Sequence, residues 1–176
     1  RSIYKNIFKL PPGSLLSITP GGEPDVRRYW SMADVIQQDR IEASDDQVIN
    51  SAEALMRDAV RRRMVADVPL GALLSGGVDS TTVAALMQAE SDTPIRTFTI
   101  GFEDAAYDEA GDARAVASHI GSEHTELYLS ANRARDLIPQ LPDWYDEPFA
   151  DSSALPTRLV SQLARNDVTV ALSGDG

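Results

Sequence analysis

The segment Leu73-Leu74-Ser75-Gly76-Gly77-Val78-Asp79-Ser80 has apolar residues before it and a helical pattern after it. This order predicts a strand, a glycine turn and a helix. Two adjacent glycines let the backbone turn at positive φ and approach a ligand closely. The N-terminus of the following helix offers unpaired N–H groups and a partial positive charge to an anion. The segment therefore predicts a site for a phosphate or pyrophosphate group.

Three polar side chains of this loop extend the prediction. Ser75 and Ser80 add hydroxyl donors, and Asp79 adds a carboxylate. A carboxylate is expected beside an anion site where a hard cation such as Mg²⁺ bridges the two. The loop is neither a Walker A motif nor a dinucleotide fingerprint, because no lysine follows the glycines and their spacing differs from GxGxxG. We therefore expect a magnesium–pyrophosphate complex, with an ordinary strand-to-helix turn as the plain alternative.

Alternating apolar patterns predict the fold around this loop. Helices are predicted at 46–65, 79–90, 108–120, 131–139 and 153–165, and strands at 70–75, 96–101, 125–129 and 168–172. Such alternation is typical of a mostly parallel sheet with helices on both faces, a three-layer α/β/α architecture. Ligands bind beyond the carboxyl ends of the strands in such sheets. The loops at 75–79, 101–104 and 173–175 are therefore expected to converge on one crevice.

Two other segments carry simpler patterns. The helix at 46–65 is predicted to be amphipathic, with one apolar stripe running from Val48 to Met64. Residues 3–29 hold short apolar runs between proline and glycine turns, which predicts short strands.

Composition excludes several classes of function. The formal net charge of −11 disfavours a nucleic-acid partner held by a basic surface. The chain has no cysteine, which excludes disulfides, thiolate catalysis and cysteine-based zinc sites in it. The sequence has no signal-peptide pattern and no apolar run of about 18 residues, so we expect no membrane partner and a cytoplasmic location. Lys5 and Lys9 are the only lysines, so a lysine that stabilises a transferring phosphoryl group would have to lie outside this sequence.

The motif SGGxDS at 75–80 resembles the PP-loop of the N-type ATP pyrophosphatases, which are adenine nucleotide alpha hydrolase-like in fold. Nearly the whole chain is similar to the glutamine-hydrolysing asparagine synthase family. The segments that carry the resemblance are 67–80, 97–102, 107–110, 145–154 and 173–176. Residues 1–30 resemble the end of the family's glutaminase domain and its linker, and residues 31–176 resemble the amino-terminal part of its synthetase domain. We therefore expect a truncated piece of a larger ligase.

The resemblance implies a set of site residues. Those expected to hold ATP and its pyrophosphate are Leu74, Ser75, Gly76, Gly77, Asp79, Ser80, Ile100, Ser173 and Gly174. Asp79 would also take Mg²⁺, and Asp175 matches a position linked in the family to forming the aspartyl-adenylate. Asp79 and Asp175 are therefore the expected catalytic residues.

The implied reaction is that of a carbon–nitrogen ligase in amino-acid biosynthesis. The side-chain carboxylate of aspartate attacks the α-phosphorus of ATP, pyrophosphate leaves, and ammonia then attacks the β-aspartyl-AMP to give asparagine. In a glutamine amidotransferase of this family the ammonia comes from glutamine, released by a cysteine that this sequence lacks. The isolated chain is therefore expected to turn over little or not at all.

Other functions remain open from the sequence alone. One is a non-catalytic nucleotide-binding module that keeps the fold without the chemistry. Another is a relative that closes β-lactams or cyclises peptides with the same loops. A PP-loop enzyme that makes GMP or NAD is disfavoured by Tyr29-Trp30 and by the segment at 146–154. Association through an open sheet edge, giving a homodimer, also remains open.

Two further groups of polar residues have competing interpretations. His119 and His124 are expected to be structural rather than metal ligands, because only Glu123 is a close acidic neighbour in the sequence. Asp146, Glu147 and Asp151 lie beside a proline turn, where they either face solvent or line the mouth of the substrate site.

Overall fold

The computed structural model describes residues 2–39, 41–103, 108–148 and 151–174. The chain divides into two compact units, Arg1–Asp45 and Asp46–Gly176. In the first unit, β1 (Ser14–Ser17) pairs antiparallel with β2 (Asp25–Arg28), which confirms the short strands predicted there. Helix α1 (Met32–Ile36) follows, and the Ser31 hydroxyl caps it by accepting a hydrogen bond from the Asp34 N–H at 3.1 Å. The proposed domain boundary after residue 30 refers to relatives of this chain and stays a prediction.

The second unit is built on a parallel sheet, as predicted. Its strands are β3 (Leu70–Leu73), β4 (Arg96–Phe102), β5 (Glu123–Leu129) and β6 (Val170–Leu172). Their order across the described sheet is β5-β4-β3-β6, and each neighbouring pair is parallel. Because β3 lies in the middle, the turn that follows it emerges at the centre of the sheet's carboxyl edge.

Five of the helices described in the second unit follow the predicted pattern within a few residues, and a sixth, a short helix at 141–144, was not predicted. They are α2 (Asp45–Arg63), α3 (Val78–Ala89), α4 (Ala110–Ile120), α5 (Ala131–Leu137), α6 (Leu141–Trp144) and α7 (Ala154–Ala164). The helix predicted at 131–139 ends early, at Leu137, and continues as a 3₁₀ turn over Ile138–Gln140. Pro139 lacks the N–H that a further α-helical hydrogen bond would need. None of the helices in the described ranges combines the length and the apolarity that crossing a membrane requires.

Buried side chains lie on both faces of the sheet. One cluster contains Ala72 of β3 together with residues of α3 and α4, among them Met87 and Ala113. The other contains Phe98 of β4 and Val160 of α7. Successive strand residues point to opposite faces, so these two clusters put helices on both sides of the sheet. The predicted three-layer arrangement is therefore confirmed.

The amphipathic stripe predicted for α2 is buried only at its end. Val60 belongs to the core and Met64 packs against it, whereas Leu55 is 72% exposed and Val48 is 46% exposed. The predicted amphipathic helix is therefore present, but only the end of its apolar stripe is buried. Periodicity identifies which face of a helix is apolar, but it does not say how much of that face another element covers.

Candidate nucleotide site

The carboxyl ends of β3, β4 and β6 surround one cavity of about 1120 Å³. The starts of α5 and α7 also line it, through residues such as Ala131 and Pro156. The predicted site residues that line it are Leu74, Ser75, Gly77, Asp79, Ser80, Ile100, Ser173 and Gly174. Gly76 lies in the turn beside them, whereas Asp175 falls outside the described residues and its role stays a prediction.

Gly76 makes the sharp turn at the end of β3. Its φ is +81°, a conformation that costs a side-chain-bearing residue free energy. A Cβ atom there would lie 2.8 Å from the Asp112 Cβ and 2.9 Å from the Ala113 nitrogen. Both atoms belong to the first turns of α4, so α4 packs directly against the backbone of the glycine turn.

Gly77 then adopts an extended conformation and serves as the N-cap of α3, without a side-chain cap. The first N–H groups of α3 lie at the end of the helix that borders the cavity. They have no capping side chain, such as the serine or aspartate that usually accepts their hydrogen bonds. Such an end, with its partial positive charge, is suited to an anion.

Two serine hydroxyls tie the loop together. The buried Ser80 Oγ accepts a hydrogen bond from the Ser75 N–H at 3.2 Å and donates one to the Gly77 carbonyl at 3.3 Å. The Ser75 Oγ lies 2.9 Å from the Ser80 Oγ and accepts from the Gly77 N–H at 3.3 Å. The hydroxyls predicted as phosphate donors thus have internal partners, and they hold the loop in a defined shape.

Asp79 is an exposed residue in the first turn of α3, next to the glycine turn. Mg²⁺ takes oxygen ligands, commonly one or two carboxylates together with phosphate and water oxygens. The solvent-facing Asp79 carboxylate beside the start of α3 fits one position of this donor set. No group of three or more histidine, aspartate and glutamate side chains suited to a metal occurs in the described parts of the chain.

The backbone of Leu74 is fixed by β4. Its N–H donates to the Phe98 carbonyl at 2.9 Å, and its carbonyl accepts from the Thr99 hydroxyl. Thr99 is 3% exposed and Leu74 is 2% exposed, so this contact is buried. Thr99 was not among the predicted site residues. The alternation of Thr97, Phe98 and Thr99 indicates that the two threonines share one face of the strand. It does not indicate that the Thr99 hydroxyl contacts the Leu74 carbonyl.

The end of β6 packs closely on the start of α3. A Cβ atom at Gly174 would lie 2.5 Å from the Ser80 nitrogen, so the two backbones are in direct contact. This contact explains how a loop 94 positions later in the sequence than Ser80 comes to line the same cavity.

Asp108 links β4 to α4 at the rim of the site. Its Oδ1 accepts hydrogen bonds from the Phe102 N–H and the Ala110 N–H, both at 3.2 Å. One carboxylate therefore joins the end of the strand that carries Ile100 to the start of the helix that packs on Gly76.

For three acidic residues, Asp146, Glu147 and Asp151, the sequence left open whether they face solvent or line the mouth of the substrate site. Asp146, Glu147 and Asp151 are absent from the described lining of the cavity, whereas Ser152 and Ser153 are present. The Asp151 Oδ1 accepts from the Ser153 N–H at 2.8 Å, and hydrogen bonds from Ser153 lower the pKa of this carboxyl. Asp151 therefore shapes the turn before α7.

His124 lies on β5 and does not line the cavity. Its Nδ1 is 2.8 Å from the Thr97 Oγ1, and burial lowers the pKa of the imidazole. The neighbouring Glu126 accepts two hydrogen bonds from Arg114, at 2.7 and 2.6 Å, which lower the pKa of that carboxyl. These contacts join α4 to β5 and support the structural interpretation of His124.

Comparison with known proteins identifies the family. Residues 51–176 match the family model for asparagine synthase. The chain belongs to the asparagine synthase family. A relative from Methanocaldococcus jannaschii, named putative asparagine synthetase (glutamine-hydrolyzing) 2, is 40% identical over 99% of this chain and 33% of its own length.

Two further members extend the comparison across distant organisms. Asparagine synthetase (glutamine-hydrolyzing) 1 of Bacillus subtilis is 30% identical over 97% of this chain and 26% of its own length. Asparagine synthetase (glutamine-hydrolyzing) of Homo sapiens is 36% identical over 73% of this chain and 24% of its own. The chain thus spans a third or less of the length of these curated relatives.

Among solved structures, the NH3-dependent NAD synthetase from Campylobacter jejuni aligns with 69% of this chain and 54% of its own. The identity is 12% and the TM-score is 0.48.

Proposed function

We propose that this chain carries the ATP-binding part of a ligase that makes asparagine from aspartate, ATP and ammonia. The observation that supports it most strongly is the glycine turn at 75–77. This turn ends the central strand, starts α3 with uncapped N–H groups and has an exposed carboxylate two residues later. The names of the relatives supply the amide product, asparagine.

In this proposal the turn and the start of α3 bind the β- and γ-phosphates of ATP. The Ser75 hydroxyl and the Gly77 N–H hydrogen-bond to each other before ligand arrives. A phosphate oxygen replaces that internal bond by accepting from both groups, so the loop changes partners without leaving polar groups unpaired. Ser80, which is buried, keeps the turn in shape while this exchange takes place.

Asp79 would hold Mg²⁺ against the same phosphates. The cation supplies positive charge that favours departure of pyrophosphate. The partial charge at the start of α3 acts in the same direction, and both are fixed before reaction.

Leu74 and Ile100 would contact the adenine, with Ser173 and Gly174 beside the nucleotide. The aspartate carboxylate then attacks the α-phosphorus, and the bond to the oxygen that bridges the α- and β-phosphates breaks. Attack of ammonia at the acyl carbon of β-aspartyl-AMP releases AMP and gives asparagine. The proposed role of Asp175 is to assist formation of the aspartyl-adenylate. Much of the rate enhancement in such a step comes from positioning the two reactants.

The wider assembly is also part of the proposal. The relatives are named glutamine-hydrolyzing, which supports a glutaminase domain as the source of ammonia. In our proposal this domain lies elsewhere in the full-length protein, the protein works in the cytoplasm, and a homodimer is its assembly.

Calorimetric titration of the chain with ATP tests the proposal, with and without Mg²⁺. We expect saturable binding that needs Mg²⁺ and is lost in Asp79→Asn. Asp92→Asn is the matched control, because Asp92 is an exposed residue in the turn between α3 and β4, before the opposite end of the sheet. Absence of saturable binding by a chain with the expected circular dichroism would contradict the proposal. Equal binding by wild type and Asp79→Asn would contradict the role of Asp79.

A further inference from the structure

The peptide unit between Leu74 and Ser75 is held from both sides. Its carbonyl accepts a hydrogen bond from the Thr99 hydroxyl, and its N–H donates to the Ser80 Oγ at 3.2 Å. Because the peptide unit is planar, its carbonyl and N–H turn together. Two partners on opposite edges, one on β4 and one on α3, therefore fix its orientation.

The need for Thr99 follows from where β3 ends. The pairing between β3 and β4 runs as far as Leu73 opposite Phe98. One residue later the Leu74 N–H still bonds to the Phe98 carbonyl, but the chain then leaves the sheet toward the positive φ of Gly76. The Leu74 carbonyl is buried at this point, and a buried carbonyl without a donor is costly. The Thr99 side chain supplies that donor.

We propose that Thr99 is a positioning residue for the phosphate-binding turn. Its hydroxyl acts through the Leu74 carbonyl, and it sets the orientation in which the turn at 75–77 presents its N–H groups. The part of this inference that concerns the ligand, a nucleotide or inorganic polyphosphate, rests on the proposed function.

The chain provides three informative variants. Thr99→Val keeps the volume and the branching of the side chain but removes the donor. Thr99→Ser keeps the donor. Thr97→Val makes the same chemical change two residues earlier at a side chain that is 0% exposed, and there the hydroxyl bonds to Ser122 and His124, at 2.9 and 2.8 Å, instead of the turn.

The first test is amide hydrogen exchange without any ligand. In Thr99→Val we expect exchange at Ser75 and Gly77 to rise about tenfold relative to wild type, since the donor to a buried carbonyl is lost. The amides of α7 serve as the internal reference for global opening. In Thr99→Ser and Thr97→Val, the ratio of the exchange rates in the turn to those in α7 should be the same as in wild type. An unchanged ratio in Thr99→Val, or an equal rise in Thr97→Val, would overturn the inference.

The second test is the affinity for magnesium pyrophosphate. We expect Thr99→Val to bind about tenfold more weakly, with Thr99→Ser restoring the wild-type value and Thr97→Val retaining it. Wild-type affinity in a Thr99→Val chain would contradict a positioning role. Failure of the wild type to bind pyrophosphate would contradict the proposed function instead, while the exchange ratios would still decide whether Thr99 sets the turn.

Discussion

An alanine at position 76 would test whether the glycine turn and α4 form one packed unit. Gly76 has a φ of +81°, and an added Cβ would lie 2.8 Å from the Asp112 Cβ and 2.9 Å from the Ala113 nitrogen. Ala113 is 0% exposed, and its N–H donates to the Glu109 carbonyl at 3.0 Å. The obstacle includes helix backbone, which cannot rotate aside as a flexible side chain would.

The expected cost has two parts. Holding alanine in the left-handed region costs about 1–2 kcal/mol. Forcing extra volume into a packed contact, so that α4 or the turn shifts, costs about 1–3 kcal/mol more. The free energy of unfolding should therefore fall by about 2–5 kcal/mol, a large share of the roughly 5–15 kcal/mol that holds a typical domain together. Because the shift occurs at the turn, affinity for magnesium ATP should fall as well.

Urea unfolding followed by circular dichroism measures this cost. Gly111→Ala is the matched control, since Gly111 also lies in α4 but a Cβ there would meet nothing within 4 Å. Alanine is the better helix former, so this control should gain up to about 1 kcal/mol. A Gly76→Ala chain within about 0.5 kcal/mol of wild type, a range typical of uninvolved surface positions, would refute the reasoning. A Gly111→Ala chain that loses as much stability as Gly76→Ala would refute it too.

Three further predictions concern two contacts at the site and one buried histidine in the sheet. Gly174→Ala should lower both the urea midpoint and the affinity for magnesium ATP, because the new Cβ would lie 2.5 Å from the Ser80 nitrogen; unchanged values would contradict the contact. Asp108→Ala should lower stability by about 1 kcal/mol through loss of the acceptor for the Phe102 and Ala110 N–H groups, and a thermal scan that matches wild type would argue against this role. Burial lowers the pKa of His124 below its ordinary 6.5, so the unfolded chain binds a proton that the folded chain does not, and stability should fall as the pH drops below 6.5. His124→Gln should flatten this decline below pH 6.5 in urea titrations, and an equal slope would assign the decline to other groups.

The local geometry of the site could be predicted from its sequence. Adjacent glycines after an apolar run gave the strand, the turn and the helix, because positive φ and helix starts depend on a few neighbouring residues. The early end of α5 was not predicted, although its cause, Pro139, is also local. The parallel sheet followed from the alternation of strand and helix patterns.

The contacts that hold the site together could not be predicted in this way. Thr99 meets Leu74 across 25 positions of sequence, and Asp112 of α4 meets Gly76 across 36. Such pairings depend on strand register and helix packing, which periodicity does not specify. For the same reason the exposure of the first half of α2 could not be predicted: the apolar stripe identifies one face of the helix but not whether another element packs against it.

A site-resolved titration tests the central claim most directly. Amide chemical shifts of the isotope-labelled chain would be followed while magnesium ATP is added, with magnesium alone as the reference. Our account predicts that the largest changes cluster at 74–80, at Ile100 and at 173–174, where the three strand ends meet. Shifts that cluster elsewhere, or none in a folded chain, would contradict the assignment of this cavity as the ATP site.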